Sequence, residues 1–323
     1  MGDPAGIGPE IIAKAWGERE RRALPPFVLV GDARAVAAVW DGPVAAVASV
    51  EEGAAAFARA LPVLTVEPAG AIAPGEPDAD GARCALHSLE AAVGLVRSGA
   101  ARALVTGPVS KAQLYAIGFT HPGQTEFVAE RCGVAGANAV MMLAGPTLRV
   151  VPITTHVPLA KVPGLLTREL IVARGLATAK GLRRNFGVDA PRLAFAGLNP
   201  HAGEDGALGR EEIEVMAPAI ADLRAQGIDA AGPLAADTLF HPRARARYDA
   251  VLCPYHDQAL IPLKTLYFDE GVNITLGLPI VRTSPDHGTA FGIAGKDAAE
   301  PGAMIAAIAM AADAAARRAA CAG

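Results

Sequence analysis

Short runs of apolar residues alternate along the chain with longer stretches in which apolar residues recur at helical spacing. The runs that predict strands are Pro26–Val30, Ala103–Thr106, Ala139–Leu143, Arg149–Ile153, Leu193–Ala196 and Ala250–Cys253. The stretches that predict helices are Cys84–Ser98, Thr167–Asn185, Glu211–Gln226 and Gly302–Ala319. Strands that alternate with helices are typical of βαβ units, so we expect an α/β protein with a largely parallel sheet covered on both faces.

The length of 323 residues suggests about two domains. The sequence has no internal repeat and no Ser- or Gly-rich linker, so we expect the domains to share a long element and the chain to return to the first domain. The prediction is two α/β/α domains, the first formed by residues 1–120 and 290–323 and the second by residues 121–289.

Composition narrows the class of protein. With 29 basic and 33 acidic residues the net charge is −4, which argues against a nucleic-acid partner. The four cysteines form no C-x-x-C pair, which argues against a disulfide framework and a thiolate zinc cage. The chain shows no signal-peptide pattern, and its most apolar helical stretch, Met304–Ala312, is too short to cross a bilayer. We therefore expect a cytoplasmic protein without a membrane partner.

Three of the seven histidines follow the same pattern, in which an apolar strand-like run and a short turn lead to His156, His201 or His256. Parallel strands end at one edge of a sheet, where ligands bind, so three imidazoles there suit a divalent metal. Asp237 and Asp257 are further candidate ligands, and Cys253 is a rival ligand. The alternative interpretation is that each histidine only caps or hydrogen-bonds locally.

Several segments suit an anionic ligand. The glycine-rich turn GDPAGIGPE at residues 2–10 runs into a helix, and TGPVSK at 106–111 places Ser110 and Lys111 at a helix start. GQTE at 123–126 places Gln124 and Thr125 before a predicted helix, Phe127–Cys132. Lys264, Asn273 and Arg282 then supply two cations and an amide. Each feature alone is more often a tight turn or a solvated surface group, but together, beside a metal site, they suggest a small anionic substrate.

The loop HGTAFGIAGK at residues 287–296 is similar to the H-G-[ST]-A loop with which decarboxylating dehydrogenases of the isocitrate and isopropylmalate type hold NAD. This similarity favours a dinucleotide over a purely hydrolytic site.

The motifs GDPAGIGPE, TGPVSK, GQTEF, TTHVPL, GLNPHAGE, ADTLF, YHDQAL and VNITLGLPIVRTSPDHGTA occur in this order between residues 2 and 290. Together they closely resemble the 4-hydroxythreonine-4-phosphate dehydrogenase family of pyridoxal phosphate biosynthesis, over essentially the whole chain. The resemblance implies an isocitrate/isopropylmalate dehydrogenase-like fold and a homodimer with shared active sites. Each active site is then expected in the interdomain cleft at the dimer interface.

The resemblance also implies roles for individual residues. His156, His201 and His256 match the metal ligands, and Gln124, Thr125, Lys264, Asn273 and Arg282 match the contacts to the phosphorylated substrate. Gly288, Thr289 and Ala290 are the expected contacts to NAD or NADP, and Asp237, Asp257 and Lys264 are the catalytic candidates. The expected cofactors are NAD or NADP and a divalent metal, Zn²⁺, Mg²⁺ or Co²⁺.

The chain departs from the family pattern at three places. Family members begin with a short apolar strand ahead of the first motif, whereas Met1 directly precedes it here. Gln124 stands where the family commonly has a histidine, and Gly292 stands where an acidic residue is common. Because glutamine does not titrate, a proton-transfer role at position 124 is not expected.

The resemblance leaves three alternatives open. The same chemistry on a 4-phosphorylated sugar acid, such as a threonate or erythronate, differs only in lacking the substrate's amino group. A phosphate acyltransferase of related fold needs neither the three histidines nor a nicotinamide. A catalytically inactive binding protein is disfavoured, because all three expected metal ligands are present.

Overall fold

The computed structural model describes residues 1–321, and these divide into two compact units. Unit 1 comprises Met1–Gly136 and Pro279–Ala315, and unit 2 comprises Ala137–Leu278 and the residues from Ala316 onward. The sequence pattern predicts breaks at 120/121 and 289/290 instead. Helix Gln124–Arg131 belongs with unit 1 because Arg131 pairs with Glu90 at 2.8 Å and the Gln124 amide donates to the Gly107 carbonyl at 3.1 Å.

The strands and helices have the following bounds. The strands are β1 (Leu29–Val30), β2 (Val44–Val47), β3 (Leu61–Leu64), β4 (Ala103–Val105), β5 (Val140–Ala144), β6 (Arg149–Pro152), β7 (Arg192–Ala196), β8 (Asp229–Leu234), β9 (Ala250–Cys253), β10 (Val272–Leu276) and β11 (Val281–Pro285). The helices are α1 (Gly8–Gly17), α2 (Ala33–Ala37), α3 (Val50–Ala56), α4 (Ala79–Arg97), α5 (Lys111–Ala116), α6 (Gln124–Arg131), α7 (Val162–Leu165), α8 (Arg168–Phe186), α9 (Ala217–Ala225), α10 (Pro242–Arg245), α11 (His256–Tyr267) and α12 (Gly302–Ala320).

In unit 1 the strands pair in parallel. β3 lies between β1 and β2, with Val63 opposite both Leu29 and Ala46. β4 pairs in parallel with β11, and Ala103 lies opposite Val281. The core packs apolar side chains of α1, such as Ile11 and Trp16, against Leu61 of β3 and Met304 of α12.

In unit 2 the strand order is β10-β5-β6-β9-β7-β8. β10 and β6 are antiparallel to β5, whereas β6, β9, β7 and β8 run parallel to one another. The core includes Val150 of β6 and Val251 of β9, which pack with Leu263 of α11. Parallel strands buried on both faces read as continuous apolar runs, and this explains the pattern of the sequence.

The predicted α/β class with mostly parallel pairing is confirmed, and several elements differ in their bounds from the predicted ones. Strand β1 is shorter than Pro26–Val30, since proline lacks the N–H that a ladder needs. The predicted helix Glu211–Gln226 contains a π-helical turn over Glu212–Met216 before α9. Pro218 cannot donate to the carbonyl four residues earlier, which favours this wider turn.

An apolar groove of about 420 Å³ in unit 1 lies between β1 and β4. Met1 lies in its lining, together with Ile12, Leu104 and Met304. The Met1 backbone nitrogen donates to the Val30 carbonyl at 3.0 Å. All four cysteines are free thiols. Within residues 1–321, no helix combines the length and apolar character that a membrane crossing needs.

The turn at Gly107 passes so close to the N-terminal backbone that it tolerates no side chain. A Cβ at Gly107 would overlap the Met1 carbonyl oxygen and lie 2.7 Å from its carbon. Gly107→Ala is therefore expected to lower the free energy of unfolding by about 1–3 kcal/mol. Gly94→Ala is the control, because its Cβ would meet nothing within 4 Å on the exposed side of α4.

Urea unfolding measures both variants. For the control Gly94→Ala, the free energy of unfolding is expected to rise by up to about 1 kcal/mol, because alanine has a higher helix propensity than glycine. Equal midpoints for Gly107→Ala and the native protein would contradict the close approach.

Candidate functional site

The three histidines of the sequence pattern follow three neighbouring parallel strands of unit 2. His156 follows β6, His256 follows β9 and His201 follows β7, and β9 lies between the other two strands. The carboxyl ends of these strands lie at one edge of the sheet, as the pattern predicts. Asp237 also lies past a strand end at this edge, in a 3₁₀ turn after β8, and it is exposed.

His156 and His256 lie side by side, with ring centroids 5.5 Å apart. The Pro254 carbonyl links the two strand exits, because it accepts from the Thr154 hydroxyl at 2.7 Å and from the Thr154 N–H at 3.2 Å. Nδ1 of His256 lies 2.8 Å from a carboxylate oxygen of Asp257. This contact turns Nδ1 toward Asp257 and Nε2 away from it, the orientation common among metal-binding histidines.

His201 lies in a loop with an unusual backbone. Residues 201–205 all have positive φ, between 45° and 85°, although four of the five carry side chains. Buried Glu212 holds the loop, because its carboxylate accepts from the Asn199 N–H at 2.7 Å and from the Asn199 side-chain amide at 3.0 Å. Strained non-glycine residues of this kind persist where the surroundings fix them, often at functional sites.

The structure does not bring His201 into a three-ligand group with the other two histidines. Among residues 1–321, no three His, Cys, Asp or Glu side chains form a group that could hold a metal ion. The reason lies in the loop lengths: His156 and His256 follow their strands within four residues, whereas His201 follows β7 by five and is held by the Glu212 network. Cys253 is buried inside β9, and burial raises the pKa of its thiol, so it does not act as a rival ligand.

Two further predicted residues lie in unit 2. Lys264 is half-buried on the third turn of α11, the helix that begins with His256. Asn273 lies in β10, and its buried side-chain oxygen has no hydrogen-bond partner within the described structure. An orphaned buried acceptor of this kind is costly, and a ligand donor would satisfy it.

The other predicted substrate residues lie in unit 1, around the buried guanidinium of Arg282. This side chain projects from β11 and donates to the Thr106 hydroxyl at 2.8 Å and to the Thr125 hydroxyl at 3.4 Å. Burial lowers the pKa of Arg282 to about 10, so it is still a cation at neutral pH. The geometry places a desolvated positive charge beside two hydroxyl groups, which suits a phosphate or carboxylate.

Gln124 and Thr125 are the first two residues of α6, which corrects the expectation that they precede a helix beginning at Phe127. The helix has Gly123 at its N-cap and no side-chain cap, so its first N–H groups lack that partner. Lys111 begins α5 after the Ser110 cap, as predicted, and its ammonium approaches Gly123. The TGPVSK and GQTE motifs thus meet beside Arg282.

The GDPAGIGPE segment does not present a free anion-binding turn, contrary to the sequence interpretation. The N–H groups of Asp3, Ala5, Gly6 and Ile7 donate to Pro108 O, Asp3 Oδ1, Asp3 O and Thr289 O, at 2.9–3.1 Å. Its glycines instead permit close backbone contacts: a Cβ at Gly6 would lie 3.0 Å from the Thr289 carbonyl oxygen. The segment therefore connects the TGPVSK turn to the HGTA loop.

Sequence reasoning missed two buried glutamates that hold these loops, Glu10 and Glu212. A signal existed for Glu10, since it is an acidic residue directly before apolar Ile11 and Ile12, which face the core. Glu212 sits in a run of charged residues and carries no such signal.

Asp3 is buried, and burial raises the pKa of its carboxyl above the usual value, with nearby Asp78 adding to the effect. Compared with the unfolded chain, the folded protein binds the Asp3 proton more tightly. The free energy of unfolding therefore falls as the pH rises above about 4, the usual pKa of an aspartate. Asp3→Asn keeps the acceptor for Ala5 N–H and removes this penalty. We expect the variant to gain in urea midpoint over the native protein as the pH rises from about 4 to about 8. If the difference in urea midpoint between the variant and the native protein were the same at all pH values, the raised pKa of Asp3 would be contradicted.

Comparison with known proteins identifies the family. A sequence model of the pyridoxal phosphate biosynthetic protein PdxA matches residues 23–311. Proteins named 4-hydroxythreonine-4-phosphate dehydrogenase are 57% identical in Zymomonas mobilis, over 98% of this chain and 95% of that protein, and 56% identical in Erythrobacter litoralis, over 99% and 96%. The crystal structure of the Klebsiella pneumoniae protein of that name matches with a TM-score of 0.87 at 38% identity, over 98% of this chain and 96% of that one. The chain therefore belongs to the PdxA family of pyridoxal phosphate biosynthetic proteins.

Proposed function

We propose that this chain is an NAD(P)⁺-dependent 4-hydroxythreonine-4-phosphate dehydrogenase of pyridoxine 5′-phosphate biosynthesis. C3 of 4-phosphooxy-L-threonine transfers its hydrogen as a hydride to NAD(P)⁺ while the C3 hydroxyl gives a proton to a base. The resulting β-keto acid then loses CO₂, and C2 takes up a proton to give 3-amino-2-oxopropyl phosphate. The observation that carries the proposal is the similarity to proteins of this name over nearly the whole chain.

The substrate phosphate is assigned to Arg282, Thr125 and Gln124 of unit 1. Arg282 supports this role because its charge is already desolvated and held by two hydroxyl groups. Gln124 donates through its amide and does not exchange a proton with the phosphate. Lys264 and Asn273 are assigned to the polar groups of the same substrate, and the unsatisfied Asn273 oxygen supports an N–H or O–H donor there.

A divalent metal is assigned to His156, His201 and His256. Support comes from the donor chemistry: two adjacent imidazoles, one oriented by Asp257, and a third after the neighbouring parallel strand. Such an ion, Zn²⁺, Mg²⁺ or Co²⁺, lowers the pKa of a bound hydroxyl and stabilises developing negative charge. His201 has to approach the other two histidines for this role, so the loop after Asn199 is expected to adjust when the ion binds.

The proton-handling groups follow from the contacts of each candidate. Asp257 faces His256, which makes it a positioning carboxylate. Asp237 is exposed past the end of β8 and is our first choice as the acceptor of the C3 hydroxyl proton. Half-buried Lys264 is the second choice for the proton and in either case places a positive charge near the substrate.

The dinucleotide is assigned to the loop that contains Gly288, Thr289 and Ala290. Ala290 adopts a left-handed conformation, with φ of 44°, and Thr289 is held by the N–H of Ile7. A backbone fixed in this way presents its remaining polar groups to a ligand at little entropic cost. NAD(P)⁺ supplies the hydride acceptor.

A homodimer with shared active sites in the cytoplasm belongs to the same proposal. Large apolar side chains on and just after α11 support an interface next to His256: Ile261, Leu266 and Phe268 are 62%, 43% and 76% exposed. Monomeric proteins seldom expose several such residues together without a binding role.

The test is NADH formation, followed by absorbance, with 4-phosphooxy-L-threonine and 4-phospho-D-threonate offered in parallel. We expect turnover with the amino acid, loss of activity in metal-depleted buffer and recovery with added Zn²⁺, Mg²⁺ or Co²⁺. His256→Ala is expected to lose at least about a hundredfold in kcat. His87→Ala, a change to an exposed histidine on α4, is the matched control and is expected to retain activity.

The outcomes separate the alternatives. Turnover with the sugar acid alone assigns the chain to that substrate class and keeps the metal site. Full activity after metal depletion rejects the metal assignment. Absence of NADH with both substrates, and of NADPH when NADP⁺ replaces NAD⁺, rejects the proposed function.

A further inference from the structure

Glu10 is the most deeply buried charged side chain of α1, with 2% of its side chain exposed. Its carboxylate accepts hydrogen bonds from two backbone amides far along the chain, Ala299 N–H at 3.1 Å and Gly295 N–H at 3.3 Å. Gly295 lies near the end of the loop 287–296, and Ala299 follows that loop by three residues. A buried carboxylate requires such partners, because a buried charge left without them strongly destabilises the folded state.

Lys14 lies one helical turn after Glu10 and completes the arrangement. Its ammonium contacts the Glu10 carboxylate at 2.9 Å and the carbonyl oxygens of Ala299 and Asp297 at 2.9 and 3.2 Å. It also pairs with the exposed Asp297 carboxylate at 2.9 Å. The two side chains therefore hold both N–H and C=O groups of residues 295–299. We call this set of contacts the Glu10–Lys14 clamp.

The near end of the same loop is held by the start of α1. Ile7 N–H donates to the Thr289 carbonyl at 3.0 Å, and Gly6 packs closely against Thr289. One short helix thus holds the loop at position 289 and at positions 295–299. Two non-glycine residues of this stretch are left-handed, Ala290 with φ of 44° and Asp297 with φ of 55°, and such a conformation needs external support.

We propose that Glu10 and Lys14 are positioning residues for the dinucleotide: the clamp fixes the loop 287–296 in its binding conformation. This inference rests on the proposed function, which assigns Gly288, Thr289 and Ala290 to NAD(P)⁺. Neither side chain touches the dinucleotide in this proposal, so both act through the backbone of the loop. The clamp also gives the GDPAGIGPE segment a physical role that replaces anion binding.

Glu10→Gln tests the clamp with little change in shape. The amide oxygen still accepts from one backbone N–H, but the NH₂ group faces the second N–H and cannot accept from it. The neutral side chain also forms no ion pair with Lys14. We expect a rise of about tenfold in the KM and dissociation constant of NAD⁺, with the KM of the phosphorylated substrate changed less than about twofold. Lys14→Met keeps the length of the side chain and removes the ammonium, and we expect a change in the same direction.

Glu20→Gln is the matched control, since Glu20 is 85% exposed just after α1 and pairs only with Arg19 among the ion pairs of residues 1–321. It is expected to leave both KM values unchanged. In the double variant Glu10→Gln/Lys14→Met, the rise in the dissociation constant of NAD⁺ is expected to be smaller than the product of the two single rises, because both changes remove the same ion pair.

Amide hydrogen exchange tests the contacts of the Glu10–Lys14 clamp independently of catalysis. The N–H groups of Gly295 and Ala299 are expected to exchange faster in Glu10→Gln, while Gly81, whose N–H is held by Asp78 at the start of α4, stays unchanged. Faster exchange at 295–299 with unaltered NAD⁺ binding would overturn the positioning role. If the native protein forms no NADH, the proposed function fails. Hydrogen exchange and equilibrium NAD⁺ binding then still test whether the clamp positions the loop for the dinucleotide. If Glu10→Gln does not fold, the same measurements on Lys14→Met test the proposal.

Discussion

Parallel pairing of β6, β9 and β7 is the constraint on which the histidine site depends. Each strand ends at the same edge, so three residues separated by 45 and 55 positions along the chain follow neighbouring strands. The sheet determines only where the loops leave it. The loops then decide how near the imidazoles come: the Thr154–Pro254 hydrogen bonds bring two of them side by side, and the Glu212 network holds the third in a separate loop.

The sequence predicted those parts of the fold that depend on local pattern. Apolar runs located β6, β7 and β9 within about one residue, because buried parallel strands need continuous apolar stretches. The same reasoning extended β1 into Pro26 and placed the start of α6 at Phe127. The second error has a local cause, since Gly123 caps this helix without the Ser, Thr, Asp or Asn that ordinarily marks a helix start.

What the sequence did not reveal depends on partners far apart along the chain. Glu10 acts on amides 285 and 289 residues away, and no periodicity of α1 indicates those acceptor contacts. The antiparallel pairing of β10 and β6 with β5 is likewise a product of the chain path. The GDPAGIGPE motif shows the limit of motif reading: its glycines suggest a cradle for an anion, but the structure uses them to bring backbones into contact.

The burial of Arg282 has a consequence for how the protein responds to its solution. A guanidinium on the surface attracts an anion through water and mobile ions, and salt within the physiological range weakens that attraction strongly. Arg282 has already left the water and rests on Thr106 and Thr125, so few counter-ions stand between it and a ligand. In the proposed phosphate-binding role, salt would therefore weaken the contribution of Arg282 to affinity much less than that of a surface guanidinium, so changes in potassium or chloride concentration would leave most of it in place.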